Sequence, residues 1–308
     1  MAVNHTEVSC IEQTVECDMS WSGIFVSINT LSVIINSLHM LVLRKMPKLC
    51  NQNYFWILLN LNLVDTAVAL SLVIGTSCIS PWLQNVGYGR ILGAVVLVLT
   101  ETSSLCRYFQ LTLASLDRYY AVCRPFEYSN SRLLNNVGKL SILGWAVNSL
   151  PSILQVVATP SAICFGPLGP FMKVTKYTVF FLLWGALNML LPSIATAIFL
   201  TKTIRELKRM QKRSTSMTDD DKEVRSATKY IIVTSVLFYS TVIPLVLLVL
   251  MKTNLELYAV EFMQLFVGLC QSLYGIVNVA LFAFFNLAYV HQIKRLFELC
   301  STTKVEPF

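Results

Sequence analysis

Charge is scarce in this 308-residue sequence. Asp, Glu, Lys and Arg together make up 13% of it, against roughly a quarter in an ordinary soluble domain. Histidine is scarcer still: His5, His39 and His291 are too scattered to assemble a metal site or an activated nucleophile. No glycine-rich phosphate loop is present, and no internal repeat of the kind that builds inverted-repeat transporters. These gaps argue against an enzyme and call for no cofactor and no metal. The first 18 residues lack Lys, Arg and any apolar core. No cleavable leader is therefore expected, and the first long apolar segment must serve for insertion.

What fills the sequence instead is apolar. Hydrophobic residues make up 55% of the chain, and about 20 in a row suffice to cross a hydrocarbon layer ~30 Å thick at ~1.5 Å per residue. Seven stretches qualify, near 22 to 43, 54 to 79, 91 to 123, 138 to 158, 175 to 201, 227 to 251 and 261 to 286. Backbone groups in lipid have no water to bond, so such segments must be helical. The expected fold is an all-α membrane protein, a bundle of seven transmembrane helices. A tail over 1–21 precedes the bundle at 22–290, and a short amphipathic helix and tail over 291–308 follow it.

Of the 24 Lys and Arg residues, 19 fall at one end of the bundle, which the positive-inside rule makes cytoplasmic. The net charge of +7 then belongs to inner loops, not to a nucleic-acid surface. The N-terminal tail lies outside, where it carries only acidic charge and the glycosylation sequon Asn4-His5-Thr6. The segment "KTIRELKRMQKR" spaces Ile204, Leu207 and Met210 by three, which predicts a helical extension of the fifth span into the cytoplasm. It could face a partner, anionic lipid headgroups, or both. The Pro- and Gly-rich "TPSAICFGPLGPFMKV" cannot be a continuous helix. Within the membrane core the charges that stand out are Asp65, Glu101 and Arg107. Such residues are costly in lipid and mark candidate functional positions.

The third span ends in "TLASLDRYYAVCRPFEY", with Asp117 and Arg118 adjacent and Tyr119 following. Seven spans, an outer N-terminus and this triplet together resemble the rhodopsin-like G-protein-coupled receptors. The stretches "NYFWILLNLNLVD" (53–65), "SLDRYYAVCRPFEY" and "LFYSTVI" (237–243) are similar to odorant receptors in particular, as are Asn36, Trp145, Pro192 and Asn278. The resemblance implies a receptor in the plasma membrane that binds an extracellular small molecule and activates a heterotrimeric G protein of the stimulatory type. It assigns the switch to Asp117, Arg118, Tyr119, Phe238, Asn278 and Phe282. Thr100, Glu101, Ser104, Leu105, Tyr239, Ile243, Gly268, Gln271 and Ser272 would line a mainly apolar ligand pocket.

Departures from the family pattern are informative. Gly93 stands where relatives place a Cys bridged to the second outer loop, so pairing among Cys10, Cys17, Cys78 and Cys164 is left open. Phe282 replaces the Tyr of the seventh-helix motif, Leu200 the Tyr of the fifth, and Val279 follows Asn278 in place of Pro. Arg107 lies 11 residues before Arg118, about 16 Å along a helix, at the depth where many relatives bind sodium beside the residue matching Asp65. An Asp65–Arg107 ion pair in place of sodium is therefore expected. Glu101 lies about 9 Å further out and would meet either a cationic ligand or an internal partner such as Arg90 or Lys176. Two further readings stand beside the odorant one: a non-olfactory receptor for amines, lipids or peptides, and a non-signalling seven-helix scaffold.

Overall fold

The structure is a computed structural model that describes residues 19–46, 53–77, 87–128, 130–158, 163–166, 169–172, 178–213, 219–251 and 257–302. Asn4, Cys10, Cys17 and Cys78 lie outside the described residues. Seven long helices form a bundle: α1 (Met19–Arg44), α2 (Asn53–Ser77), α3 (Gly87–Cys123), α4 (Val137–Ala158), α5 (Thr178–Arg213), α6 (Asp219–Met251) and α7 (Leu257–Phe285). An eighth, α8 (Leu287–Thr302), follows after a single residue. Among the described residues five helices are long and apolar enough to cross a membrane, and α7 with α8 makes a sixth candidate bent by 103°.

The arrangement of polarity inverts that of a soluble protein. Ile142, Val157, Leu183 and Leu191 stand 60–71% exposed, while Asn29, Asn36, Asp65, Arg107, Gln110 and Asn278 are buried. Only lipid as the outer solvent makes this the low-energy choice, because the apolar surface costs nothing there and the polar groups must find partners inside. Hydroxyls and amides on the exposed faces satisfy themselves locally. Thr30, Asn60 and Thr201 each donate to the carbonyl four residues back, at 2.7–2.8 Å.

The connections bear on the sites. The segment 159–174, read as a non-helical loop, contains an antiparallel hairpin of β1 (Ile163–Gly166) and β2 (Gly169–Met172), with Cys164 opposite Phe171. The expected extension of α5 continues unbroken to Arg213 past Pro192. Proline there has no N–H to offer the carbonyl of Asn188, four residues back. Thr112 of α3 fills the neighbourhood, its hydroxyl within 3.0 Å of the Pro192 carbonyl and 2.9 Å of the Thr196 hydroxyl. After α3, Pro125 opens a one-turn helix, Pro125–Tyr128, as its fixed φ favours.

α4 is held on α3 by small and polar residues. Ser141 donates to Gln110, 3.2 Å, and Gly144 lies so near Phe109 that a Cβ there would stand 2.5 Å from the ring. Asn148 donates back to the Gly144 carbonyl at 2.8 Å.

Candidate functional site

Two sites emerge, one at mid-membrane and one at the α3 end that carries Arg118. At mid-membrane, the depth expected from residue spacing brings Arg107 of α3 to Asp65 of α2, with Nη2 2.6 Å from Oδ1. Both side chains are almost fully shielded from solvent, so the ion pair is a buried one. The second Asp65 oxygen accepts from Asn278 Nδ2 at 3.0 Å. The Asn278 carbonyl oxygen in turn accepts from the Tyr230 hydroxyl at 2.7 Å and, more weakly, from Thr234 at 3.3 Å. One amide thereby ties α6 and α7 to the charge pair of α2 and α3.

Arg107 has a second set of neighbours. Its guanidinium lies 5.0 Å from the Tyr274 ring centre and 5.8 Å from that of Phe238, within range of cation–π attraction in a desolvated site. Phe238 stacks edge-on with Tyr108 at 4.9 Å and with Tyr274 at 5.5 Å. These aromatics, with Leu61, Leu111 and Val242, form the buried cluster around the charge pair. Gly275 makes room for the network: a Cβ there would come within 3.0 Å of both Asn36 Nδ2 and Ser32 Oγ. Asn36 is itself gripped, its carbonyl accepting from Asn62 at 2.7 Å.

At the other site Asp117 and Arg118 are buried together. Arg118 donates to Asp117 Oδ2 through Nε at 2.9 Å and Nη2 at 2.5 Å. The other carboxylate oxygen accepts from Tyr128 at 2.9 Å. That hydroxyl is delivered by the one-turn helix after α3, whose base Arg124 pairs with Glu127 at 2.9 Å. Burial and the Asp117 carboxylate both push the Tyr128 phenol above its ordinary value, so it stays a donor at any physiological pH. The Arg118 guanidinium also covers the Tyr54 ring, 4.2 Å from its centre. Tyr119 points elsewhere, packing on Phe199 at 5.6 Å with Lys202 over its ring.

Between these sites lies an apolar inner core. Leu200, Tyr230, Ile231 and Phe282 meet Tyr54, Leu58 and Tyr289 there. Phe282 stands 5.2 Å from Tyr230 and 5.1 Å from both His39 and Tyr289. His39 of α1 and Tyr289 of α8 share a hydrogen bond of 2.7 Å. Phe282 and Leu200, where relatives carry tyrosines, therefore fill space with carbon instead of presenting hydroxyls.

The residues assigned to a ligand pocket are spread over α3, α6 and α7. Glu101 is half-buried on α3. Six residues before Arg107, it is rotated by roughly 120° from the direction of the charge pair. Thr100 donates to the Val96 carbonyl at 2.8 Å, and Leu105 is buried. Tyr239 stacks on Phe238 at 5.3 Å, and its buried hydroxyl has no hydrogen-bond partner among the described residues. Ser272 is buried on α7, while Ser104 and Gln271 are half-buried. Ile243 and Gly268 fall within α6 and α7, but their surroundings lie outside the described residues.

Sequence reasoning missed Tyr230, Thr234 and Tyr274 in the central network, and Tyr54 and Tyr128 around Arg118. A signal existed: Tyr230, Thr234 and Phe238 recur every four residues, as do Tyr274 and Asn278, which stacks them on one helix face. Among the described residues no cluster of His, Cys, Asp and Glu could hold a metal.

Comparison with curated proteins gives no match. The family model of the seven-transmembrane receptors of the rhodopsin family, in contrast, matches residues 35–293, which take in α1 from residue 35 onward, the whole of α2 to α7 and both charge sites. A seven-helix bundle with polar groups turned inward and an Asp-Arg pair closing α3 is thus explained by descent as well as by physics: the chain belongs to the rhodopsin family of seven-transmembrane receptors.

Proposed function

We propose that this receptor is of the odorant or chemosensory type, taking an extracellular small molecule near Ser104, Leu105, Tyr239 and Gln271 and activating a stimulatory G protein. The observation that carries the signalling half is the storage of Arg118. A guanidinium buried against Asp117, Tyr54 and Tyr128 is stable only while those partners stay in place. The Tyr128 element, the one-turn helix outside the bundle, can be displaced without unfolding any span. Once it moves, Arg118 becomes available to a G-protein segment entering from the cytoplasm.

In this reading the N-terminal tail is extracellular, glycosylated at Asn4, and the Arg118 end faces the cytoplasm of a plasma-membrane receptor. The basic count at that end supports the orientation. The central network supplies the coupling. A ligand that shifts Tyr239 moves Phe238, on which Arg107 rests, and Asn278 carries that shift to Tyr230 on α6. The ligand does this work only through a difference in affinity between the two arrangements of the bundle.

The test is cyclic AMP in cells expressing the chain beside Arg118→Ala, across odorants and amines, with surface expression matched. An odorant response lost in Arg118→Ala supports the proposal. A response confined to amines and lost in Glu101→Gln would replace it with the amine reading, and G-protein silence at full surface expression, with and without ligands, would favour a scaffold.

A further inference from the structure

α7 ends at Phe285 and α8 begins at Leu287, with Asn286 alone between them and a bend of 103°. A helix leaves its last carbonyls without a donor of its own. In an unbroken helix the Phe285 carbonyl would take the N–H of Tyr289, four residues on. Here the bend turns that N–H to Asn286, to its carbonyl at 3.1 Å and to its side-chain Oδ1 at 3.0 Å. The Val290 N–H goes to the Asn286 carbonyl as well, at 3.3 Å. The Phe285 carbonyl must therefore find its donor elsewhere.

α6 supplies it. Ser226 donates to that carbonyl at 2.5 Å, across 59 positions of sequence. A hydroxyl inside a helix ordinarily bonds the carbonyl one turn back, as Thr228 does to Val224 at 2.7 Å. Ser226 instead reaches out of its own helix. One turn further along α6, Tyr230 and Ile231 are buried in the inner core with Tyr54, the ring that Arg118 covers. Arg118 itself bonds Asp117 on its own helix, and among the described residues no ion pair or hydrogen bond ties it to α6.

We propose that Ser226 is the latch that holds the inner end of α6 closed over Arg118 at rest, with the Phe285 carbonyl as its catch. Opening α6 breaks this one bond and leaves an orphan carbonyl at the joint. Because the acceptor is backbone, the catch is set by the bend and by the Asn286 cap, not by the side chain at 285. The effect of the latch on signalling rests on the G-protein reading above; the contact itself does not.

The test uses the full chain in phosphatidylcholine nanodiscs, with spin labels attached through a bioorthogonal amino acid at exposed Glu223 of α6 and His291 of α8, which spares the nine cysteines. Double electron–electron resonance reads the distance between them. Loss of one hydrogen bond should enlarge the long-distance population about five-fold in Ser226→Ala. Ser226→Thr keeps the hydroxyl and should return the parent distribution. Ser240→Ala removes a hydroxyl that bonds within α6, to the Leu237 carbonyl at 2.7 Å, and should also match the parent. Matching unfolding temperatures show that all three variants fold. An unchanged distribution in Ser226→Ala, or equal widening in Ser240→Ala, would overturn the latch. Ligand-independent cyclic AMP is read in parallel: widening in Ser226→Ala without a rise would support the latch and count against the G-protein reading.

Discussion

Removing either member of the Asp65–Arg107 pair should not be equivalent, and the inequality tests whether the pair is a buried ion pair at all. Asp65→Ala leaves a guanidinium, buried to 2% exposure, with no carboxylate. Arginine cannot shed its proton in a protein, so the full cost of an uncompensated buried charge falls on the fold, about 3–5 kcal/mol. Asn278 also loses the acceptor for its amide. Arg107→Met is milder. The methionine fills much of the same volume, Asn278 still donates to Asp65, and a carboxylic acid can become neutral by binding a proton. An unsatisfied buried group then costs about 1–3 kcal/mol. The double variant Asp65→Ala/Arg107→Met removes both charges and should be more stable than Asp65→Ala alone, giving a negative interaction energy in the cycle. The assay is thermal unfolding of detergent-purified protein together with surface expression. Arg107→Met proving as damaging as Asp65→Ala, or the two losses simply adding, would refute an ion pair and leave only helix packing.

Other consequences follow from the same geometry. Tyr128→Phe removes the hydroxyl held 2.9 Å from Asp117; a hydrogen bond to a charged group contributes about 1.5–3 kcal/mol, so ligand-independent cyclic AMP should rise several-fold, and an unchanged baseline would show that Tyr128 does not hold the resting state. Gly144→Ala drives a methyl to 2.5 Å from the Phe109 ring and should cost about 1–3 kcal/mol through overpacking, seen as a lower unfolding temperature that Phe109→Leu partly restores. Sodium against choline at fixed ionic strength should leave the unfolding temperature unchanged, because the Arg107 cation already occupies the place beside Asp65; a sodium-specific rise would contradict that.

The spans were legible because each is a long apolar run and lipid leaves the backbone no alternative to a helix. The Asp65–Arg107 contact was legible for a simpler reason. Two opposite charges placed at one depth in neighbouring helices have no other low-energy option. What the sequence did not disclose was rotation. Depth follows from counting residues, but the direction a side chain faces depends on how each helix turns in the bundle. Tyr230 and Thr234 therefore reached Asn278 unannounced. The environment of Arg118 was hidden differently. Tyr54 lies far away in sequence, and Tyr128 is brought in by a one-turn helix that only Pro125 hints at.

The hydrogen bond between His39 and Tyr289 spans 250 positions of the sequence and joins the first helix of the bundle to the last described one. Contacts of such separation form late, since the loop they close must first be ordered. During synthesis α1 waits in the membrane until α8 has emerged. Until then His39 and Phe282 lack the ring that covers both. A chain broken off before Tyr289 could insert all seven spans and still leave an imidazole unmatched at the bundle's edge. The clasp thus makes the last step in closing α1 against the bundle depend on the docking of α8.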